Sequence, residues 1–256
     1  MSGVATASVV VFGHSHLTCL QNGYEAAQAR GVNSVEAEFF QIWGKYDPFV
    51  RQDGDQPIYH PDMVAELKAR AGRTRASAFV ASLIGSEHLI WAVEGQLRPF
   101  DVILPYAASL SRNPDAEIVP YTALRAQVRD TISPILKFAG WLQKEMNIPV
   151  LLVAPPPPVA SDAMLLNRSH GHLNELMKRL GVPHWTIRYK LWRIWIEIAA
   201  AVTGEDGVKF VGVPNFVTDA RGLLHPDYCH DCVHGNADYG YMAWLKILPN
   251  IDAGSG

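Results

Sequence analysis

The sequence predicts an α/β fold, a mainly parallel five-stranded sheet with helices on both faces. Short apolar runs of strand length, each ending near Gly or Pro, recur along the chain. Between them lie segments whose apolar residues repeat at helical spacing. Strands that alternate with helices run parallel, and helices then cover both faces. The length of 256 residues, 48% of them hydrophobic, suits one α/β domain spanning 1–256 with a generous core.

Each element follows in order. Residues 9–12 are a β-branched and aromatic run, and Gly13 turns the chain into an Ala-rich helix over 17–30 that Gly31 can cap. Strands are expected over 35–43 and 78–84, with a shorter sixth stretch at 101–105. A long helix is expected over 121–146, with Pro134 kinking or dividing it. A strand over 150–153 runs into four prolines at 155–158. Helices over 165–180, ending at Gly181, and over 190–202 precede a strand at 208–213. A last helix spans 239–248, and the tail from 252 is expected to fray. Residues 45–76 and 107–120 are polar, Pro-containing insertions, either a lid or plain surface excursions.

Composition excludes several classes. The net charge is −3 and no run of five basic residues occurs, so no nucleic acid is expected as partner. No apolar stretch is long enough for a membrane span. Residues 4–12 resemble the apolar part of a secretory signal but have no basic residues before them, so a cytoplasmic protein is expected. Three Cys do not make a disulfide framework.

In open parallel sheets ligands bind beyond the carboxyl ends of the strands. Ser15, Gly44, Gly85 and the prolines 155–158 all follow predicted strands and should meet at that rim. A serine hydroxyl becomes a nucleophile only beside a base that takes its proton and a carboxylate that orients the base. Asp231-Cys232-Val233-His234, near the end of the chain, supplies both from one short loop. Asp227 is a competing orienter, and Ser15 can also be read as an ordinary helix cap.

Together these residues resemble the SGNH (GDSL-type) hydrolase superfamily over most of the chain. Gly13-His14-Ser15 occupies the place of the family's nucleophile turn, Gly44 that of a Gly whose amide binds the oxyanion, and Asp231-x-x-His234 that of the base and its orienter. Leu151-Leu152-Val153-Ala154 with its prolines and Gly240-Tyr241 also match. The resemblance implies a three-layer α/β/α sandwich of flavodoxin-like order. It also implies ester hydrolysis or acyl transfer by Ser15, His234 and Asp231, with deacetylation of a carbohydrate as one form of it, and no cofactor and no metal. The amides of Ser15 and Gly44 would bind the oxyanion.

Two positions depart from the pattern. His14 replaces an Asp that takes no part in proton transfer. Gly85-Ser86-Glu87-His88 puts Glu87 where the family has an Asn donor. A carboxylate accepts hydrogen bonds and donates none, and losing one oxyanion donor costs about 3 kcal/mol. A protonated Glu87, a rotated loop presenting His88, or Asn113 from the insertion would compensate.

The rival reading is therefore a weakly active or inactive member of the fold that binds a carbohydrate or a partner. A third reading, a zinc or redox protein, rests on Cys229-x-x-Cys232 and the nearby histidines, with Cys19 within reach. Trp185, Tyr189, Trp192 and Trp195 lie at helix-like intervals and are read as a core face rather than a sugar platform.

Overall fold

The computed structural model describes residues 7–32, 35–42, 44–54, 56–169 and 171–252. In chain order they form β1 (Ala7–Gly13), α1 (Leu17–Ala29), β2 (Val35–Gln41), β3 (Val50–Asp53), β4 (Gln56–Tyr59) and α2 (Pro61–Thr74). Next come β5 (Ala78–Ser82), α3 (Glu87–Glu94), β6 (Phe100–Asp101), β7 (Glu117–Ile118) and α4 (Tyr121–Met146). The remainder are β8 (Val150–Val153), α5 (Asp162–Arg168), α6 (Gly171–Leu180), α7 (Trp185–Glu205), β9 (Lys209–Val211) and α8 (Ala237–Asp252).

Five strands form one sheet in the order β2-β1-β5-β8-β9, every pair parallel. The chain starts beside the middle of this sheet and winds outward in both directions, so β1 and β5 are paired on both sides. Successive side chains of β1 go to opposite faces, as the strand period requires. Val10 and Phe12 pack with Phe79, Leu136, Phe138 and Trp195 beneath α2, α4 and α7. Val9 and Val11 pack with Leu20, Val80, Leu151 and Trp244 beneath α1 and α8. The result is three layers. The segment compared above with a signal sequence thus supplies, from residue 7 on, a central strand.

Several expectations need correction. Residues 45–76 are more than an excursion. They fold as the β3–β4 hairpin and then α2, whose Met63, Leu67 and Ala71 are buried on the sheet. That stripe has only three residues among many charges, which is why it reads as polar. Residues 101–105 make no strand of the main sheet; only the two-residue β6 pairs, with β7. Pro134 does not divide α4, because Leu124, Val128, Ile132 and Leu136 keep one buried stripe across it. The helix expected over 165–180 is two: Ser161 caps α5, which ends at Arg168, and Gly171, at φ +57°, starts α6. α7 begins at Trp185, not 190, and α3 was not anticipated. Gly31 does end α1, at φ +65°. Trp43 and the tail beyond 252 lie outside the described residues.

Of the four aromatic residues of α7, Trp195 is fully buried and Tyr189 and Trp192 nearly so, as a core face requires, while Trp185 at the helix start is half-buried. No helix among the described residues is long and apolar enough to cross a membrane.

Candidate active site

β1 delivers Ser15 to the rim. Gly13 packs against the end of β5 so closely that a Cβ there would collide with the Ser82 carbonyl. The His14 amide then donates to that same carbonyl at 2.9 Å. The Leu17 amide bonds the His14 carbonyl at 2.9 Å, closing a turn that leaves Ser15 half-buried just before α1. The Ser15 amide donates to no group among the described residues.

The other half comes from the loop before α8. One oxygen of Asp231 accepts the amides of Val233 at 2.8 Å and His234 at 2.7 Å. Its other oxygen lies 2.7 Å from His234 Nδ1. The carboxylate therefore shapes the turn and orients the ring with separate atoms. Facing an acceptor, Nδ1 carries the ring proton, which leaves the lone pair on Nε2. Nε2 is buried and has no hydrogen-bond partner, Ser15 included. Burial pushes the Asp231 carboxyl up, but the bonds from the His234 ring and the two amides outweigh it and hold it at about 2. Asp227, the competing orienter, is exposed and lies 3.5 Å from His225 instead.

Ser15, Asp231 and His234 line two adjoining cavities. One, of about 280 Å³, continues along Thr18, Asn22, Gln41 and Asn236. The other, of about 370 Å³, runs past His14, Gly85, Glu87 and Arg168. A larger hollow of about 550 Å³ between Tyr59, Val64 and Trp141 contains none of these residues. Size does not mark the site here; converging reactive groups do.

The other predicted residues are placed less simply. The Gly44 amide, expected at the oxyanion, donates to the Asp47 carboxylate at 2.8 Å, and Gly44 lines neither cavity. Gly85 and Glu87 do line the second cavity, and the Gly85 amide donates to Glu87 Oε2 at 3.0 Å. Both carboxylates lie near His14, whose ring is kept below its usual range by burial, against the opposing pull of Glu87 and Asp47. Of the amides expected to face an oxyanion, only that of Ser15 is unoccupied.

His88 and Asn113 do not supply the missing donor. His88 is buried on α3 away from both cavities. Asn113 lines a separate cavity with Asp101 and His184. No residue of the 107–120 segment lines either cavity at Ser15.

His16 was missed. Its ring centroid lies 4.9 Å from that of His234, and both its nitrogens are buried without partners. Burial, then the neighbouring His234 and His88 imidazoles, drives it down to about 3. Its place beside Ser15 was legible, but its contact with His234 depends on two segments more than 200 residues apart. Asp47 and Arg168 were also missed; only the three-residue spacing from Gly44 to Asp47 carried a signal.

The thiols of Cys19, Cys229 and Cys232 are free and buried, and burial pushes them up to about 12, 11 and 12. Among the described residues, no three His, Cys, Asp or Glu side chains gather as a metal-binding group. The zinc and redox reading of Cys229 and Cys232 thus finds neither a ligand set nor an available thiolate.

No protein-family profile matches the chain, and no curated protein matches it. Solved structures do. A GDSL-like lipase from Bacteroides thetaiotaomicron is 13% identical with a TM-score of 0.50, over 97% of this chain and 89% of that one. An extracellular lipase from Streptomyces rimosus is 11% identical with a TM-score of 0.51, over 96% and 99%. The periplasmic domain of a lipopolysaccharide acetyltransferase from Salmonella Paratyphi A is 11% identical with a TM-score of 0.53, over 97% and 84%. Along nearly its whole length, this chain has the fold of the SGNH/GDSL-like hydrolases.

Proposed function

We propose that this protein is a serine-dependent ester hydrolase or acyltransferase acting on a small ester. The observation that carries the reading is the 2.7 Å contact between Asp231 and His234 Nδ1, with Nε2 unpartnered in cavities that also hold Ser15. His234 Nε2 accepts the Ser15 hydroxyl proton as Oγ bonds to the acyl carbon. The Ser15 amide donates to the oxyanion formed on the carbonyl oxygen. As the acyl–oxygen bond to the alcohol breaks, His234 returns the proton to the leaving oxygen. Water, or a second alcohol in transfer, then attacks the acyl-serine with His234 as base again. The acyl–Oγ bond breaks, His234 returns the proton to Ser15 Oγ, and the acid or new ester leaves. The Ser15–His234 hydrogen bond closes around substrate, as catalytic hydrogen bonds often do. The mechanism calls on no cofactor. The small size of the cavities favours a short acyl group, and we take an acetylated carbohydrate as the substrate and the cytoplasm as the place of reaction.

The carboxylates on the Gly44 and Gly85 amides favour a second reading, a protein of this fold that binds such molecules without turning them over.

A fluorophosphonate probe separates the two. The wild type should be labelled, and both Ser15→Ala and His234→Ala should lose the label. An unlabelled wild type would leave the binding reading in its place.

A further inference from the structure

Glu87 is the residue of the site that the mechanism leaves without a task. Its carboxylate lines the cavity beside Ser15, with Oε2 on the Gly85 amide at 3.0 Å. Oε1 receives no hydrogen bond from the described residues, so an acceptor is open on the cavity wall. Arg168 lines the same cavity. It donates from Nη1 to the His230 carbonyl at 3.1 Å and forms no ion pair among the described residues. A carboxylate and a guanidinium thus share one small cavity without pairing to each other.

An open carboxylate opposes negative charge growing on a bare ester carbonyl. The same group rewards a hydroxyl on the substrate, because a carboxylate accepts strong hydrogen bonds and a guanidinium donates them. Resting on the esterase reading, we propose that Glu87 and Arg168 select an ester whose alcohol part carries free neighbouring hydroxyls. Glu87 accepts from one hydroxyl and Arg168 donates to the next. Glu87 is then a specificity-determining residue, and its replacement of an amide donor is a change of substrate rather than a lesion.

The test compares three probes on wild type, Glu87→Gln and Arg168→Met. They are 4-nitrophenyl acetate, a mono-O-acetyl methyl pyranoside with its other hydroxyls free, and the same sugar with those hydroxyls methylated. The wild type should favour the free sugar over the methylated one by at least about ten-fold in kcat/KM. In Glu87→Gln the amide oxygen can keep Gly85 while the NH₂ becomes a donor. That variant should lose the preference and turn over 4-nitrophenyl acetate roughly ten-fold faster. Arg168→Met should reduce the preference as well.

A wild type indifferent to methylation, or a preference that survives in both variants, overturns the proposal. Fluorophosphonate labelling of the same samples tells the failures apart. With Ser15 labelled, the selectivity fails alone; with no label on the wild type, the esterase reading falls and takes this with it.

Discussion

His16 and His88 are 3% and 5% exposed, and three of their ring nitrogens are buried without a hydrogen-bond partner. Such atoms are rare in folded proteins because their lost hydration is not replaced. Burial holds both imidazoles at about 3, against an ordinary 6.5. Between those values the unfolded chain binds protons that the folded chain refuses. The stability these groups allow is therefore complete above pH 6.5 and declines as pH falls toward 3, by up to about 1.4 kcal/mol per pH unit for each. Urea midpoints between pH 7 and 5 should fall accordingly, and a His16→Phe/His88→Phe double variant should flatten the curve. A wild-type curve already flat would show that the folded protein accepts these protons. At this scale the sequence was informative where one short segment does the work. The Asp231–His234 pair is readable because three residues span it. The occupation of Gly44 by Asp47 and of Gly85 by Glu87 was not, since an amide and a carboxylate a few residues apart can meet or miss with equal covalent ease.

Among elements, the least legible part is the passage from α3 to α4. It is organised by a buried ion pair, Lys190 Nζ to Asp101 Oδ1 at 2.8 Å, each side chain 1% exposed. Asp101 also accepts the amides of Val102 and Asn113, and Lys190 donates to the Ser111 carbonyl. The polar 107–120 segment is thereby tied to α7. Removing one partner leaves the other charged and buried, so Lys190→Met should cost roughly 3–5 kcal/mol in urea unfolding. Adding Asp101→Asn should recover part of that, because Asn removes the buried charge but keeps only one of the two acceptors that the Val102 and Asn113 amides use. A single variant within about 1 kcal/mol of wild type would show that the pair organises little. No periodicity announces a lysine inside a core helix; position 190 looks like any polar point on an amphipathic pattern until α7 is seen covered on both sides.

For the whole molecule, the decisive contact is between α1 and α8, which carry the two halves of the site. They approach at Gly23 and Gly240, where a Cβ on Gly240 would fall inside the Cys19 carbonyl and against the Gly23 Cα. Trp244 Nε1 donates to the Leu20 carbonyl at 2.7 Å across the same seam. Ser15 precedes α1 and His234 precedes α8, so this packing sets their separation. Gly240→Ala should push the helices apart, costing about 1–3 kcal/mol and reducing fluorophosphonate labelling in the protein that remains folded. Gly72→Ala is the control: it lies on α2 with nothing within 4 Å of an added Cβ, and should stabilise by up to about 1 kcal/mol. Equal behaviour of the two variants would remove the seam from the argument.

By itself the sequence determined the layers and the ingredients. Strand-length apolar runs between helical repeats can bury both faces only as a parallel sheet, and Ser15 and Asp231-x-x-His234 stand where such a sheet puts its rim. Those are properties of period and local order, which the chain carries in any ten-residue window. Tertiary structure alone decided what each ingredient touches. Glu87 turned onto Gly85 while leaving one oxygen to the cavity, His16 came against His234, and Lys190 found Asp101. Each of these contacts depends on the distance and angle between separate elements, fixed by how the whole core packs rather than by any one segment.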